Sequence, residues 1–317
     1  MQHPPVRVAV IIVTYNSARV LPDCLASLRR QGPRVALTTV VVDNGSRDAT
    51  RALVRTQFPE AQLVEAPRNG GFSYGNNLGL RALGLLAPPA RGSAPPADYV
   101  LYLNPDTELP PGAVEALVRL MEARPEIGAL SPRLVRADGS LDMACRRALP
   151  TPWNTFCHVV GLDRLWPRSP RFAEYNLTYL PEDRPTAVGC VAAAFMLVRA
   201  AAVARVGPWD ETFFAYGEDI DYCLRVRRAG WLIWYEPSVR VLHLKGAASQ
   251  QRSLPMLREF YRAMDVYYRK HFAARHPLPL RLAITAAVRA LYTAALLRQL
   301  ARPAGKRWVG AARPTKL

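Results

Sequence analysis

At 317 residues, half of them hydrophobic, the chain can bury a large core and is too apolar to be a disordered tract. Its five cysteines form no C-x-x-C pair, which excludes a disulfide framework and a structural zinc cluster and suits a reducing compartment. The formal charge of +17 is concentrated in residues 251–317, with 14 of the 42 Lys/Arg and two of the 25 Asp/Glu, so an anionic partner is expected for that tail rather than for the body.

Residues 1–7 run into a strand pattern without the charged and apolar regions of a secretory signal, so none is expected. Residues 6–13 are a β-branched run suited to a strand buried on both faces, and 19–30 follow with helical spacing. A second apolar run, 37–42, ends at Asp43-Asn44-Gly45-Ser46, and Asp48 is placed to cap the next helix. Gln62–Glu65 reads as a third strand, 72–86 as a helix, 87–97 as a Pro/Ala/Gly loop and Tyr99–Leu103 as a buried strand. A helix over 111–122 opens with proline. Repeated strand–helix units predict an α/β fold with a mostly parallel sheet and helices on both faces.

Beyond Ser131 the pattern changes. Asp138-Gly139 reads as a hairpin turn, 146–184 as irregular, 193–199 as a strand and 217–229 as a helix opened by carboxylates that suit its positive end. Two short strands, 231–235 and 239–242, precede a helix over 255–272. The apolar stretch Leu278–Leu300 is interrupted by Arg281, Arg289 and Arg298. An arginine near the bilayer centre costs about 2.5–3.5 kcal/mol on insertion scales, so this stretch is expected to lie on a membrane surface rather than cross it. A helix docked on the protein body is the competing expectation.

In an open α/β sheet, ligands bind beyond the carboxyl ends of the strands. Polar residues gather there: Thr14-Tyr15-Asn16-Ser17, Asp43 to Ser46, and Asn104-Pro105-Asp106-Thr107. Arg68-Asn69-Gly70-Gly71 lies between them, with Asn76 and Asn77 a turn further on. One such loop would be ordinary turn chemistry; three on neighbouring strands point to a ligand. The glycines match neither G-x-G-x-x-G nor a phosphate loop with lysine. Asp106 stands where a carboxylate can hold a divalent cation. Glu218-Asp219-Ile220-Asp221 crowds three carboxylates, which raises proton affinity toward the range of a general base. Trp209, Phe213, Phe214 and Tyr216 flank them. His243 is a lone histidine, a type that is ordinarily structural, placed where it could complete a metal site with Asp106.

Taken in order from Val8 to Gly246, the segments VAVIIVTYNSARVLPDCLASL, VVVDNGSRDAT, RNGGFSYGNNLGL, YVLYLNPDTELP, AAFMLVR, VGPWDETFFAYGEDIDYCLRVRRAGW and VLHLKG resemble the inverting glycosyltransferases of family 2, and in particular their bacterial rhamnosyltransferase-like branch. The resemblance implies a GT-A fold, with a nucleotide-sugar-binding half over 1–130 and an acceptor and catalytic half over 131–250; charge and spacing add a basic helical tail over 251–317. It implies that Thr14, Tyr15, Asn16, Asp43, Arg68, Asn69, Gly70, Asn77, Asn104 and Asp106 surround the donor. Asp106 and His243 would hold Mg2+ or Mn2+. Asp219 would be the general base, assisted by Glu218, with Trp209, Asp210, Glu211 and Asp221 on the acceptor side. Two positions depart from the family pattern: Asn104 replaces the first carboxylate of a D-x-D-like motif, and Ala193 stands where relatives often carry glycine.

The reaction so implied transfers a sugar from a nucleotide donor, L-rhamnose from dTDP-rhamnose being favoured and a UDP-hexose the alternative. The acceptor is expected to be a polyprenyl-diphosphate-linked or other glycan, met at the cytoplasmic face of a cell membrane whose anionic surface residues 251–317 would bind. Charge alone allows a nucleic-acid-binding protein, but no zinc finger, RNA-binding aromatic pair or cold-shock pattern supports it. A sugar nucleotidyltransferase would carry glycine and lysine after the first strand, where TYNSARV stands.

Overall fold

The computed structural model describes residues 4–86, 95–245 and 253–301. Most of the 87–97 loop and the residues that join body to tail lie outside them. Two strands rich in β-branched residues, β1 (Val6–Thr14) and β2 (Val35–Asp43), pair in parallel with each other; the short β3 (Gln62–Glu65) extends β2 and β4 (Tyr99–Leu103) joins β1 on the other side, both also parallel. Every residue of β4 is buried, as expected of a central strand covered on both faces.

Helices α1 (Leu21–Leu28), α2 (Thr50–Gln57), α3 (Phe72–Ala82) and α4 (Ala113–Ala123) connect and flank these strands. Helix α3 packs closely because Gly75 and Gly79 face the sheet. A methyl group on them would sit 2.6 Å from Val13 Cγ1 and from Ile11 Cγ2. Helix α4 begins two residues later than its sequence indicated. Pro111 lies before it, and left-handed Gly112 (φ 71°) turns the chain into it.

The second half changes strand direction. The short β5 (Thr107–Glu108) is followed by β6 (Ile127–Val135), β7 (Thr186–Val188), β8 (Phe195–Arg199) and β9 (Leu232–His243). The sheet runs β3-β2-β1-β4-β8-β6-β9-β5, with β7 also on β9. Strand β8 is antiparallel to both β4 and β6, while β6 and β9 are parallel. The sheet is thus parallel through its first four strands and mixed beyond. The two short strands expected near the end are one, β9. Its register against β6 breaks where Pro132 opposes Glu236 and Arg133 opposes Arg240, so Pro237, which has no N–H to give, sits in the bulge.

The segment expected to be irregular contains two helices, α5 (Pro152–Val160) and α6 (Leu162–Leu165). A full capping box starts α5: Thr151 accepts from the Asn154 amide while the Asn154 side chain accepts from the Thr151 amide. Helices α7 (Ala200–Val206) and α8 (Glu218–Arg228) cover the second half. Finally α9 (Ser253–His271) and α10 (Leu278–Leu300) form the tail. Phe213 from the loop before α8 packs with Ala263 and Tyr267 of α9, so α9 is built into the body. Helix α10 leans on α9, with Tyr261 and Tyr292 rings 5.7 Å apart. Among the described residues α10 alone is long and apolar enough to cross a membrane, and its apolar stretch is not buried.

Candidate active site

The strand ends converge as their register requires. Thr14 is paired with Asp43 in the β1–β2 ladder, and Asn44 N donates to Thr14 O at 2.8 Å. Asp43 is buried and accepts from Ser46 N, and Arg51 Nε approaches it at 3.6 Å. Asn16, held at φ 51°, accepts from Arg47 N through its side chain, and its own amide donates to Ser46 Oγ. These bonds close the β1 and β2 loops against each other and make a rigid polar floor.

The 68–71 loop joins that floor through Asn44, whose Nδ2 donates to Gly71 O (2.9 Å) and whose Oδ1 accepts from Gly70 N (3.2 Å). Asn69 Oδ1 accepts from Gly71 N, while the Arg68 guanidinium lies over the Tyr74 ring. Gly71 adopts φ 89° against the Phe214 carbonyl, and Phe72 N donates to that carbonyl at 2.8 Å. Only glycine fits this contact, which locks the loop to the segment leading into α8.

Asn77 has a different engagement. Its Nδ2 donates to Trp209 O and Glu211 Oε1, and its Oδ1 accepts from Trp209 N. It therefore pins residues 209–211 to α3. Trp209 is core, stacked on Tyr222 at 4.3 Å and edge-on to Tyr102 at 4.8 Å.

Asp106 and His243 meet at the next strand ends, where Thr107 pairs with His243. His243 Nε2 lies 3.4 Å from Asp106 Oδ1, and its Nδ1 is 3.0 Å from Asp142 Oδ2. Lys245 Nζ completes the group at 2.7 Å from Asp142. Burial pulls the imidazole down, but Asp106 and Asp142 together raise it to about 9. Burial pushes Asp142 up, yet His243 and Lys245 hold it well below the usual carboxylate range. Once a cation displaces the proton from Nε2, one carboxylate oxygen and one imidazole nitrogen, aimed by a carboxylate behind it, fit a divalent cation in donor type. Among the described residues no cluster of three ligands gathers, so further coordination would have to come from the nucleotide and water. Asn104 contributes backbone: its N donates to Ala194 O, and its carbonyl accepts from Thr107 Oγ1.

The carboxylates at the start of α8 divide. Left-handed Tyr216 and Gly217 turn the chain into the helix, with Tyr216 propped by Phe260 of α9. Asp219 Oδ2 accepts from Arg147 Nη2 at 2.9 Å, in a mostly buried pair. Glu218 Oε2 is buried without a hydrogen-bond partner; burial, and then the charge of Asp219, raise its carboxyl to about 8. Asp221 points elsewhere. It is fully buried and accepts from Arg225 Nε (2.9 Å), Lys270 Nζ (2.7 Å) and His271 Nε2 (2.8 Å). Asp210 shares Lys270 at 2.5 Å. These two residues hold α9 to the body.

Sequence reading missed Arg147 and Asp142. Each is one polar residue in a stretch without periodicity, and its partner is 72 or 101 residues away.

Residues 4–262 match the model of the glycosyltransferase-like family 2. The chain is 32% identical over 273 residues to the N-acetylglucosaminyl-diphospho-decaprenol L-rhamnosyltransferase of Mycobacterium tuberculosis, covering 86% of this chain and 87% of that one. It is 27% identical to the rhamnosyltransferase WbbL of Escherichia coli over 55% of this chain and 60% of that one. Its fold is similar to that of TarS 1-349 of S. aureus (TM-score 0.53, 15% identity, 89% and 70% of the two chains). It is also similar to the mannosyltransferase PcManGT of Pyrobaculum calidifontis, solved with GDP-Man and Mn2+ (TM-score 0.52, 18% identity, 95% and 77%). These likenesses, on a GT-A fold whose strand ends carry the expected polar groups, place the chain in the glycosyltransferase-like family 2, as a rhamnosyltransferase-like glycosyltransferase.

Proposed function

We propose that the enzyme moves L-rhamnose from dTDP-rhamnose to a hydroxyl of a polyprenyl-diphosphate-linked glycan by a single inverting displacement. The likeness to an N-acetylglucosaminyl-diphospho-decaprenol L-rhamnosyltransferase, over 86% of this chain and 87% of that one, carries this reading. Thr14, Tyr15, Asn16 and Asp43 form the nucleotide end, and the 68–71 loop together with Asn104 borders the sugar and diphosphate. Asn77 acts by fixing residues 209–211, and Trp209, Asp210, Glu211 and Asp221 support the acceptor side. A divalent cation, Mg2+ or Mn2+, bound at Asp106 and His243 would offset the charge of the diphosphate leaving group.

Asp219 takes the proton of the acceptor hydroxyl as that oxygen forms its bond to the anomeric carbon. The bond from that carbon to the diphosphate oxygen breaks, and its electron pair leaves with the nucleotide. Arg147 positions Asp219 beside Glu218 through its guanidinium, 2.9 Å from the carboxylate. A cytoplasmic setting against the inner face of the membrane, with 251–317 on the lipid, suits a lipid-linked acceptor.

The test is transfer with dTDP-rhamnose and with UDP-hexoses onto a GlcNAc-diphosphate-lipid, reading the product anomer by NMR. Transfer of rhamnose with inversion is expected. Activity with UDP-sugars alone would replace the donor, and a retained anomer would exclude single displacement.

A further inference from the structure

Large apolar side chains that reach solvent occupy two places among the described residues. One is the tail, at Phe260 and along α10; the other is the α5–α6 hairpin. On the hairpin Trp153, Phe156, Val159, Val160, Leu165 and Trp166 are between 43% and 69% exposed. Their spacing in α5 puts them on one face, while Asn154 and Cys157 are buried and His158 stacks on Tyr175 at 4.4 Å. The helix thus turns its polar and small residues inward and its apolar face outward, the reverse of an ordinary surface helix.

The exposed charges of residues 151–172 are all of one sign. Arg164, Arg168 and Arg171 are exposed, and the single acid between 151 and 172, Asp163, is buried against His158 Nδ1 at 2.6 Å. Aromatic and aliphatic side chains ringed by arginines match the layered chemistry of an anionic bilayer, apolar below and phosphate above. The hairpin is also rooted at the catalytic carboxylates. Ala148 N donates to Tyr175 O and Asn154 Nδ2 to Leu149 O, next to Arg147, which holds Asp219.

We propose that the α5–α6 hairpin enters the surface of an anionic phospholipid bilayer, as a membrane contact separate from the tail, and sets the mouth of the active site at the lipid. That this serves acceptor delivery rests on the lipid-linked acceptor proposed above; the membrane contact itself does not.

The test uses the full chain and acceptor-free vesicles of phosphatidylglycerol and phosphatidylethanolamine. Phe156→Glu with Leu165→Glu is expected to weaken vesicle binding about tenfold or more without moving the melting temperature, since both residues are exposed. In a second measurement Leu165→Cys, labelled with an environment-sensitive dye, should shift to the blue on these vesicles and not on phosphatidylcholine. The native cysteines are buried and leave the label specific. Unchanged vesicle binding with no dye shift would overturn the proposal, as would a loss of self-association with vesicle binding intact, which would assign the face to a second copy of the chain. Vesicle binding that needs the hairpin, beside no transfer to any lipid-linked acceptor, would uphold the contact and remove only the acceptor reading.

Discussion

Asp221→Asn tests how the tail is fastened. The carboxylate is fully buried and receives Arg225, Lys270 and His271 at 2.7–2.9 Å, and those partners hold it well below its ordinary range against the cost of burial. Asparagine keeps the shape and one acceptor oxygen but removes the charge, and its NH2 group then faces donors. Removing one member of a buried charged cluster costs about 3–5 kcal/mol. At about 2 °C per kcal/mol for a chain of this size, the melting temperature should fall by roughly 6–10 °C. The carboxyl is depressed in the folded state, so its contribution is complete above its unfolded pKa and is lost as pH falls below that value. The difference between the two proteins should therefore shrink in acid. Differential scanning calorimetry of the wild type, Asp221→Asn, Lys270→Met and the double variant gives both loss and coupling. A fall below 2 °C, or strict additivity of the two single losses, would refute the clamp.

Asp219→Asn should lower turnover by about 10²–10⁴-fold with donor binding retained, measured by transfer kinetics and calorimetry; if Glu218→Gln gives that loss instead, the base is Glu218. Because the Glu218 carboxyl rises from 4.5 to about 8 on folding, its proton is held in the native state and released in the unfolded one, so it weakens the fold as pH rises between those values. Glu218→Gln should flatten the pH dependence of unfolding across that window, and an unaltered profile would contradict it. Gly71→Ala drives a methyl group into the Phe214 carbonyl and should weaken donor binding and lower the melting temperature; unchanged values would mean the contact is dispensable. Chelation should reduce the thermal shift given by the nucleotide sugar, Mn2+ should restore it, and Asp106→Ala should abolish the restoration.

The parallel half of the fold was legible because β1 and β2 are rich in β-branched residues, β4 is wholly apolar or aromatic, and polar loops follow their carboxyl ends. Strand limits at Gln62–Glu65 and Tyr99–Leu103 agree to the residue. What escaped has a physical reason. Helix α5 is nine residues long, bounded by Pro152 and Gly161, too short to impose a period; its Thr151-Pro152-Trp153-Asn154 cap was the readable signal. Strand β9 was divided in two because Pro237 interrupts the apolar run, whereas in space the ladder bulges and resumes. The resemblance puts Asp210 and Asp221 on the acceptor side but does not disclose that both also fasten α9, because their partner Lys270 lies beyond the tail boundary. Buried ion pairs join residues by distance in space, which local pattern does not record.

The position of β8 between β4 and β6 means that chain order and spatial order part company in the middle of the sheet. A fragment ending near residue 130 would carry every strand of the nucleotide floor, yet β4 would be left with one edge bare along Tyr99–Leu103, five buried apolar residues with no polar gatekeeper. Such a fragment should stick to itself rather than bind nucleotide. The ribosome faces the same problem in time: until residue 199 emerges, the first half waits with an open sheet edge, so synthesis rather than sequence similarity decides where this protein could be divided.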